Sequence, residues 1–209
     1  MSQDSSLDTD RWVDFFRQNS RNLSIAAIVL VAGGGAGYLW NRSAQIKADR
    51  ADAAFAEAAR AFDAGNAALA EKELGKVALR YAGTSGGAEA SMLLAQVLFD
   101  QGKYADGLKA LEGTKVPKHF QSGVHALIAA AHQDQGKHEE AAKHYGMAAE
   151  AAELSGDRDY MKAEQARALV AAGKKAEAEK IWAALAANEE SSVAAEARVR
   201  LGELTAKSN

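Results

Sequence analysis

The sequence predicts an all-α protein: one apolar N-terminal helix, then an α-solenoid of about four helix–turn–helix repeats and a C-terminal capping helix. Three observations predict it. Ala, Glu, Lys and Leu are abundant, proline occurs once, and no β-type alternation of useful length is present, so helix is favoured nearly everywhere. Residues 23–40, LSIAAIVLVAGGGAGYLW, hold eighteen positions without a charge. Beyond them, Gly65, Gly102, Gly136 and Gly173 recur at intervals of 37, 34 and 37 residues in similar surroundings.

These features divide the 209 residues into a tail (1–22), an apolar helix (23–40) and a helical repeat domain (41–209). The last is long enough to bury a sizeable core. A formal net charge of −3 supplies no basic field for nucleic acid. The absence of cysteine excludes disulfides and thiolate metal sites.

The tail begins polar and acidic, then reads Asp10-Arg-Trp-Val-Asp-Phe-Phe-Arg-Gln-Asn19. Trp12, Phe15 and Phe16 fall near one helical face beside Arg11 and Arg17, as in a short amphipathic helix at the lipid headgroup level. The uncharged run would extend roughly 27 Å as a helix, close to the thickness of a bilayer's hydrocarbon. It exceeds the core of a typical signal peptide and ends in Tyr38, Leu39 and Trp40, which suit an interfacial belt, so an uncleaved single-pass anchor is expected. Gly33 and Gly37 form a G-x-x-x-G along which two such helices could pair into a homodimer; glycines tolerated in a membrane helix read the same way. Arg11, Arg17 and Arg21 on one side balance Arg42, Lys47 and Arg50 on the other, so charge does not orient the anchor. No Gly or Pro interrupts 41–62, so the apolar helix is expected to run stiffly into the first repeat.

The four glycines end helical runs, where glycine accepts the left-handed conformation that stops one helix and starts the next. Seven residues before each lies Ala58, Ala95, Ala129 or Ala166; five after lies Ala70, Gly107, Ala141 or Ala178; nine after lies Leu74, Leu111, Tyr145 or Trp182. Antiparallel helix pairs need small residues where backbones approach and bulky ones where they interlock. This is the tetratricopeptide-repeat (TPR) pattern of about 34 residues. The repeats fall at about 47–83, 86–115, 120–155 and 158–188. The bulky opening position is poorly kept, with Ala54, Ser91, His125 and Lys162 there. Gly83-Thr-Ser-Gly-Gly87 separates repeats 1 and 2, and Pro117 is expected to close a short second helix in repeat 2. Ser191 or Ser192 can cap a last helix to about Ala206, which shields the end of the array.

A tail ending Phe15-Phe16-x-x-Asn19, one apolar helix ending in an aromatic residue, and degenerate repeats directly after it resemble the YfgM-type ancillary subunits of the bacterial SecYEG translocon. The resemblance covers nearly the whole chain. It implies an inner-membrane protein with a cytoplasmic N-terminus and periplasmic repeats, whose partners are translocon subunits, secretory chains or periplasmic chaperones. The domain is also related to repeat regions of cell-division coordinator proteins.

In such arrays the first helices line a groove. By repeat phase its candidates are Phe55 and Phe62 in repeat 1, Met92, Gln96 and Phe99 in repeat 2, Gln133 in repeat 3, and Tyr160 and Arg167 in repeat 4. Aromatic and Met side chains there suit an extended or helical peptide, although phase alone leaves each residue between groove and core. The first helices of repeats 1 to 3 lack the Lys and Asn cluster that would clamp a peptide carboxylate. Five histidines (His119, His125, His132, His138 and His144) gather in repeat 3, without the i, i+4 spacing of a helical metal site; a structural or pH-tuned role is expected. No nucleophile elbow, thiol, phosphate loop or zinc helix occurs, so neither enzymatic activity nor a cofactor is expected. The sequence reads as a membrane-anchored protein-interaction scaffold. The alternative is a structural subunit of a cell-envelope or cell-division assembly, dimerised through Gly33 and Gly37.

Overall fold

The computed structural model describes the backbone of residues 20–206 and the side chains of residues 32–206. The amphipathic segment expected around Trp12, Phe15 and Phe16 lies outside the described residues, as do the side chains of residues 23–31 in the apolar run. The chain divides into two compact units, residues 1–47 and 48–209.

Among the described residues the structure is helical throughout, without strands. The helices are α1 (Ser20–Asp63), α2 (Ala67–Arg80), α3 (Ser85–Asp100), α4 (Tyr104–Glu112), α5 (Gln121–Asp134), α6 (His138–Ala151), α7 (Ser155–Ala171), α8 (Lys175–Ala187) and α9 (Ala194–Ala206), with a 3-10 turn at Lys118–Phe120 before α5. In the first unit, the described part of α1 leaves Tyr38, Leu39 and Trp40 exposed. Among the described residues, no helix is long and apolar enough to cross a membrane.

The second unit is a series of helical hairpins, and the glycine period is its skeleton. Gly65, Gly102, Gly136 and Gly173 have φ of 72°, 74°, 71° and 80°. Each turn closes with the same pair of hydrogen bonds. In the second hairpin the Gly102 N–H donates to the Phe99 carbonyl at 2.8 Å, and the Lys103 N–H donates to the Leu98 carbonyl at 2.8 Å. This pairing satisfies two of the carbonyls that a helix end leaves open, and it requires a left-handed residue between them.

The fixed offsets from these glycines mark the core. The small positions Ala58, Ala95, Ala129 and Ala166 are all buried, as are Ala70, Gly107, Ala141 and Ala178. The bulky positions Leu74, Leu111, Tyr145 and Trp182 are buried between them. The cores overlap along the chain. Ala58, Leu74 and Val97 join α1, α2 and α3; Phe99, Leu111 and Ile128 join α3, α4 and α5; Ala129, Tyr145, Leu169, Trp182 and Ala197 join α5 through α9. Each hairpin therefore completes its core with a helix of the next, as expected of a repeat that cannot bury its apolar face alone.

Two local expectations are corrected. Pro117 does not close α4. That helix already stops at Glu112, where the Thr114 hydroxyl donates to the Ala110 carbonyl at 2.7 Å, and Pro117 instead precedes the 3-10 turn. The Ser191 hydroxyl does not cap α9. It is buried without a hydrogen-bond partner, and the Ser191 carbonyl accepts the Ala194 N–H at 3.1 Å.

Candidate functional site

The face expected to bind a partner lies on the first helices of the hairpins, and register determines what it presents. Three residues before each turn glycine lie Phe62, Phe99, Gln133 and Val170. Phe62 and Val170 are 38% and 36% exposed and Gln133 is exposed, but Phe99 is only 9% exposed. Phe99 belongs to the core, so its assignment to an open groove is corrected. The reason is local. Five residues after the turn glycine, the second hairpin carries Gly107 where the others carry alanine, and the missing methyl is the space the Phe99 ring fills. Tyr104 stacks on that ring with centroids 5.7 Å apart.

The other candidates divide by depth. Tyr160 is 48% exposed. Phe55 is half-buried against the core of the first hairpin, and Met92 is half-buried against that of the second. Gln96 is half-buried and its amide donates to Asp100 Oδ1 at 2.8 Å. Gly33 and Gly37 have open surroundings, with no neighbour within 4 Å of a Cβ placed on either.

Arg167 organises the end of the array. Its Nε and Nη2 donate to the two carboxylate oxygens of Glu196 on α9, at 3.1 and 2.6 Å, and its Nη1 donates to Glu164. The guanidinium also lies over the Trp182 ring, 5.9 Å from its centroid. Hydrogen bonding from Arg167 holds the Glu196 carboxyl below its ordinary range. The negative charge of Glu164 and its hydrogen bond to Tyr160 push the Tyr160 phenol up. Arg167, Val170, Trp182 and Leu204 line a cavity of 240 Å³ beside this network. The arrangement offers a peptide an aromatic hydroxyl, a carboxylate and an apolar wall.

Two surfaces were not foreseen. A cavity of 640 Å³ lies between α1 and α2, over Ala54, Ala58, Ala61, Leu69, Val77 and Tyr81. Ion pairs Arg60–Glu57 at 2.7 Å and Lys76–Glu73 at 2.8 Å stand on its rim. A second, of 440 Å³, lies between α2, α3 and α4 and is lined by Gly75, Leu94, Leu98 and Ala110, with Leu79 84% exposed at its edge. Leu79 was legible as an apolar residue directly after the core pair Val77 and Ala78, out of phase with them. Among the described residues, no group of three His, Cys, Asp or Glu side chains could hold a metal ion.

A family model for a tetratricopeptide repeat-like domain matches residues 51–165, more than half of the chain. The chain belongs to the tetratricopeptide repeat-like family. Such domains are generally non-catalytic scaffolds that mediate protein–protein interaction. The matched span covers the first three hairpins and most of α7. The fourth tetratricopeptide-like hairpin extends past it with the same turn, in which the Gly173 N–H donates to the Val170 carbonyl at 3.0 Å and the Lys174 N–H to the Leu169 carbonyl at 2.9 Å. No curated protein sequence and no solved structure matches the chain.

Proposed function

We propose that the protein is a membrane-anchored scaffold whose tetratricopeptide-like array binds another protein through the first helices of its hairpins. The observation that carries this reading is the repeated register position held open by Phe62, Gln133 and Val170, with Tyr160 exposed on the fourth hairpin. Side chains that recur at one register and leave their surface in solvent suit an extended partner better than a small molecule.

The eighteen uncharged residues of 23–40 support the anchor, as do Tyr38, Leu39 and Trp40, which are 64%, 65% and 80% exposed. Large apolar side chains left in water are costly, and a bilayer interface relieves that cost. The resemblance to YfgM-type subunits supports the Sec translocon as the site of action. In that reading the tail is cytoplasmic, the repeats are periplasmic, and the partners are translocon subunits, secretory chains or their chaperones. Anchoring raises the local concentration of the array at the membrane, so modest affinity suffices.

Mild-detergent extraction of membranes containing the full chain tests the proposal. Translocon subunits should co-isolate with the wild type. They should be reduced by a combined Phe62→Ala, Gln133→Ala and Tyr160→Ala variant that remains in the membrane fraction. Co-isolation of division proteins alone would replace this reading with a structural-assembly role. Release of the wild type from membranes by alkaline carbonate would remove the anchor.

A further inference from the structure

We propose that the paired rings of His125 and His144, with His132 packed against them, make the third hairpin an acid-sensitive joint, closed while the pair is neutral and loosened once it takes up more than one proton. The rings cluster between α5 and α6, His132 stacked on His144 and His125 tilted against it. His144 faces His125 with ring centroids 5.6 Å apart and faces His132 with centroids 5.5 Å apart. The Nδ1 atoms of His125 and His144 lie 3.4 Å from each other. Two ring nitrogens that close are compatible with a single proton between them, one ring donating and the other accepting. A second proton would set two N–H groups head to head.

The surroundings do little to compensate. All three rings are half-buried. The Nδ1 of His132, beside the pair, is buried with no hydrogen-bond partner. Glu112, at the end of α4, favours a charge on His144, and Lys143, next to His144 on α6, opposes one. From α7, Glu164 and Arg167 act on Tyr145, on α6 but not on His144. On α3, Asp100 is engaged by Gln96, and Glu89 lies beside Asp52. Burial pushes the His125 imidazole below its ordinary value. Burial, and then the positive character of His125, His132 and Lys143, push His144 down as well.

The sign follows from linkage. Above the ordinary histidine value, folded and unfolded chains hold the same protons. As pH falls below it, the unfolded rings of His125 and His144 charge while the packed ones resist, and the hairpin loses stability until their lowered folded values are reached. At pH 5.5, about one unit below the ordinary value, His125 and His144 each forfeit up to about tenfold in the closing equilibrium while kept neutral.

The consequence is positional. α5 contributes Val124, Ile128 and Ala131 to the core shared with α3 and α4, but of its buried residues Ala129 alone to the core that Ala141 and Tyr145 of α6 share with α7. Loosening α5 from α6 therefore weakens the link between the second hairpin and the fourth in the middle of the array, beside the exposed Gln133. The inference stands on the ring geometry and does not require a particular partner.

Hydrogen exchange of the full chain in detergent, followed by mass spectrometry at pH 7.5 and 5.5 and corrected for intrinsic rates, tests it. Amides of α5 and α6 should lose about tenfold in protection at the lower pH, while those of α2 and α3 stay within about twofold. His144→Phe, which keeps a ring and removes the proton site, should abolish most of that loss; His125→Phe is the second variant should the first not fold. Equal protection of α5 and α6 at both pH values would overturn the proposal. So would an equal loss in every hairpin, or a wild-type pH response in the folded variant.

Discussion

Phe99 and Gly107 fit each other as ring and socket: a Cβ on Gly107 would stand 2.7 Å from Phe99 Cδ1 and 3.1 Å from the Ala95 carbonyl oxygen. The ring is buried and stacked on Tyr104, which restricts its retreat. Gly107→Ala should therefore destabilise the domain by about 1–3 kcal/mol, although alanine is the better helix former. Phe99→Leu in that background should recover part of the loss, giving a non-zero coupling in a double-mutant cycle by urea unfolding. A stabilised Gly107→Ala protein would show that the socket is not filled.

Equivalent register positions should respond unequally. Phe99→Ala removes a buried ring and should cost about 3–5 kcal/mol. Phe62→Ala, at the same place in the first hairpin, removes a ring that is 38% exposed and should cost roughly 1 kcal/mol. Thermal unfolding of the two variants side by side checks the ordering. Similar losses would contradict the burial contrast.

The Arg167–Glu196 pair ties α7 to α9 across 29 residues of sequence. Both side chains are about a third exposed, so solvent screens the pair, and Glu196→Gln should cost about 1 kcal/mol. The carboxyl is held below its ordinary range, so its contribution is complete above that range and is lost as pH falls through the lowered folded value. The wild type should therefore lose its advantage over Glu196→Gln in melting scans from pH 7 down to pH 3. A difference independent of pH would mean that shape, not charge, joins the helices.

Tyr145 provides an alkaline counterpart. Burial, followed by the negative charge of Glu164, pushes its phenol up to about 12. A tyrosine raised in the folded state stabilises fully below the ordinary value of about 10, and that contribution is lost as pH rises toward the folded value. Ultraviolet titration should show a last ionisation step toward about 12, after that of Tyr160, and Tyr145→Phe should remove it. Ionisation of every tyrosine near 10 in a folded chain would refute the burial.

Much of the array was legible in the sequence because a helical hairpin makes two demands that depend only on spacing. Left-handed turns need Gly65, Gly102, Gly136 and Gly173, and close helix pairs need the alanines and bulky residues at fixed offsets. The proposed binding face was less legible because it depends on neighbours across the turn. Phe99 shares its register with Phe62 and Gln133, and only the alanine-to-glycine change at Gly107 moves it inward. That change was visible, but its meaning required knowing which ring points at the missing methyl. Arg167 was recognised as a candidate, but its partner Glu196 lies on a helix beyond the repeats, which no period relates to it. The end of α4 was assigned to Pro117 because proline is the stronger sequence signal, whereas the Thr114 side chain and its carbonyl partner act nearer the helix.

The central claim, that the first helices present a protein-binding face, is tested most directly by photocrosslinking in cells. A photoreactive residue replaces Tyr160, which is 48% exposed on α7, and a control replaces Lys109, exposed on the second helix of the second hairpin. Crosslinks from position 160 to translocon subunits or secretory chains, with none from position 109, are the expected result. Equal crosslinking from both positions would contradict a dedicated face. Crosslinks from position 160 only to another copy of the chain would contradict the scaffold reading and favour a structural assembly.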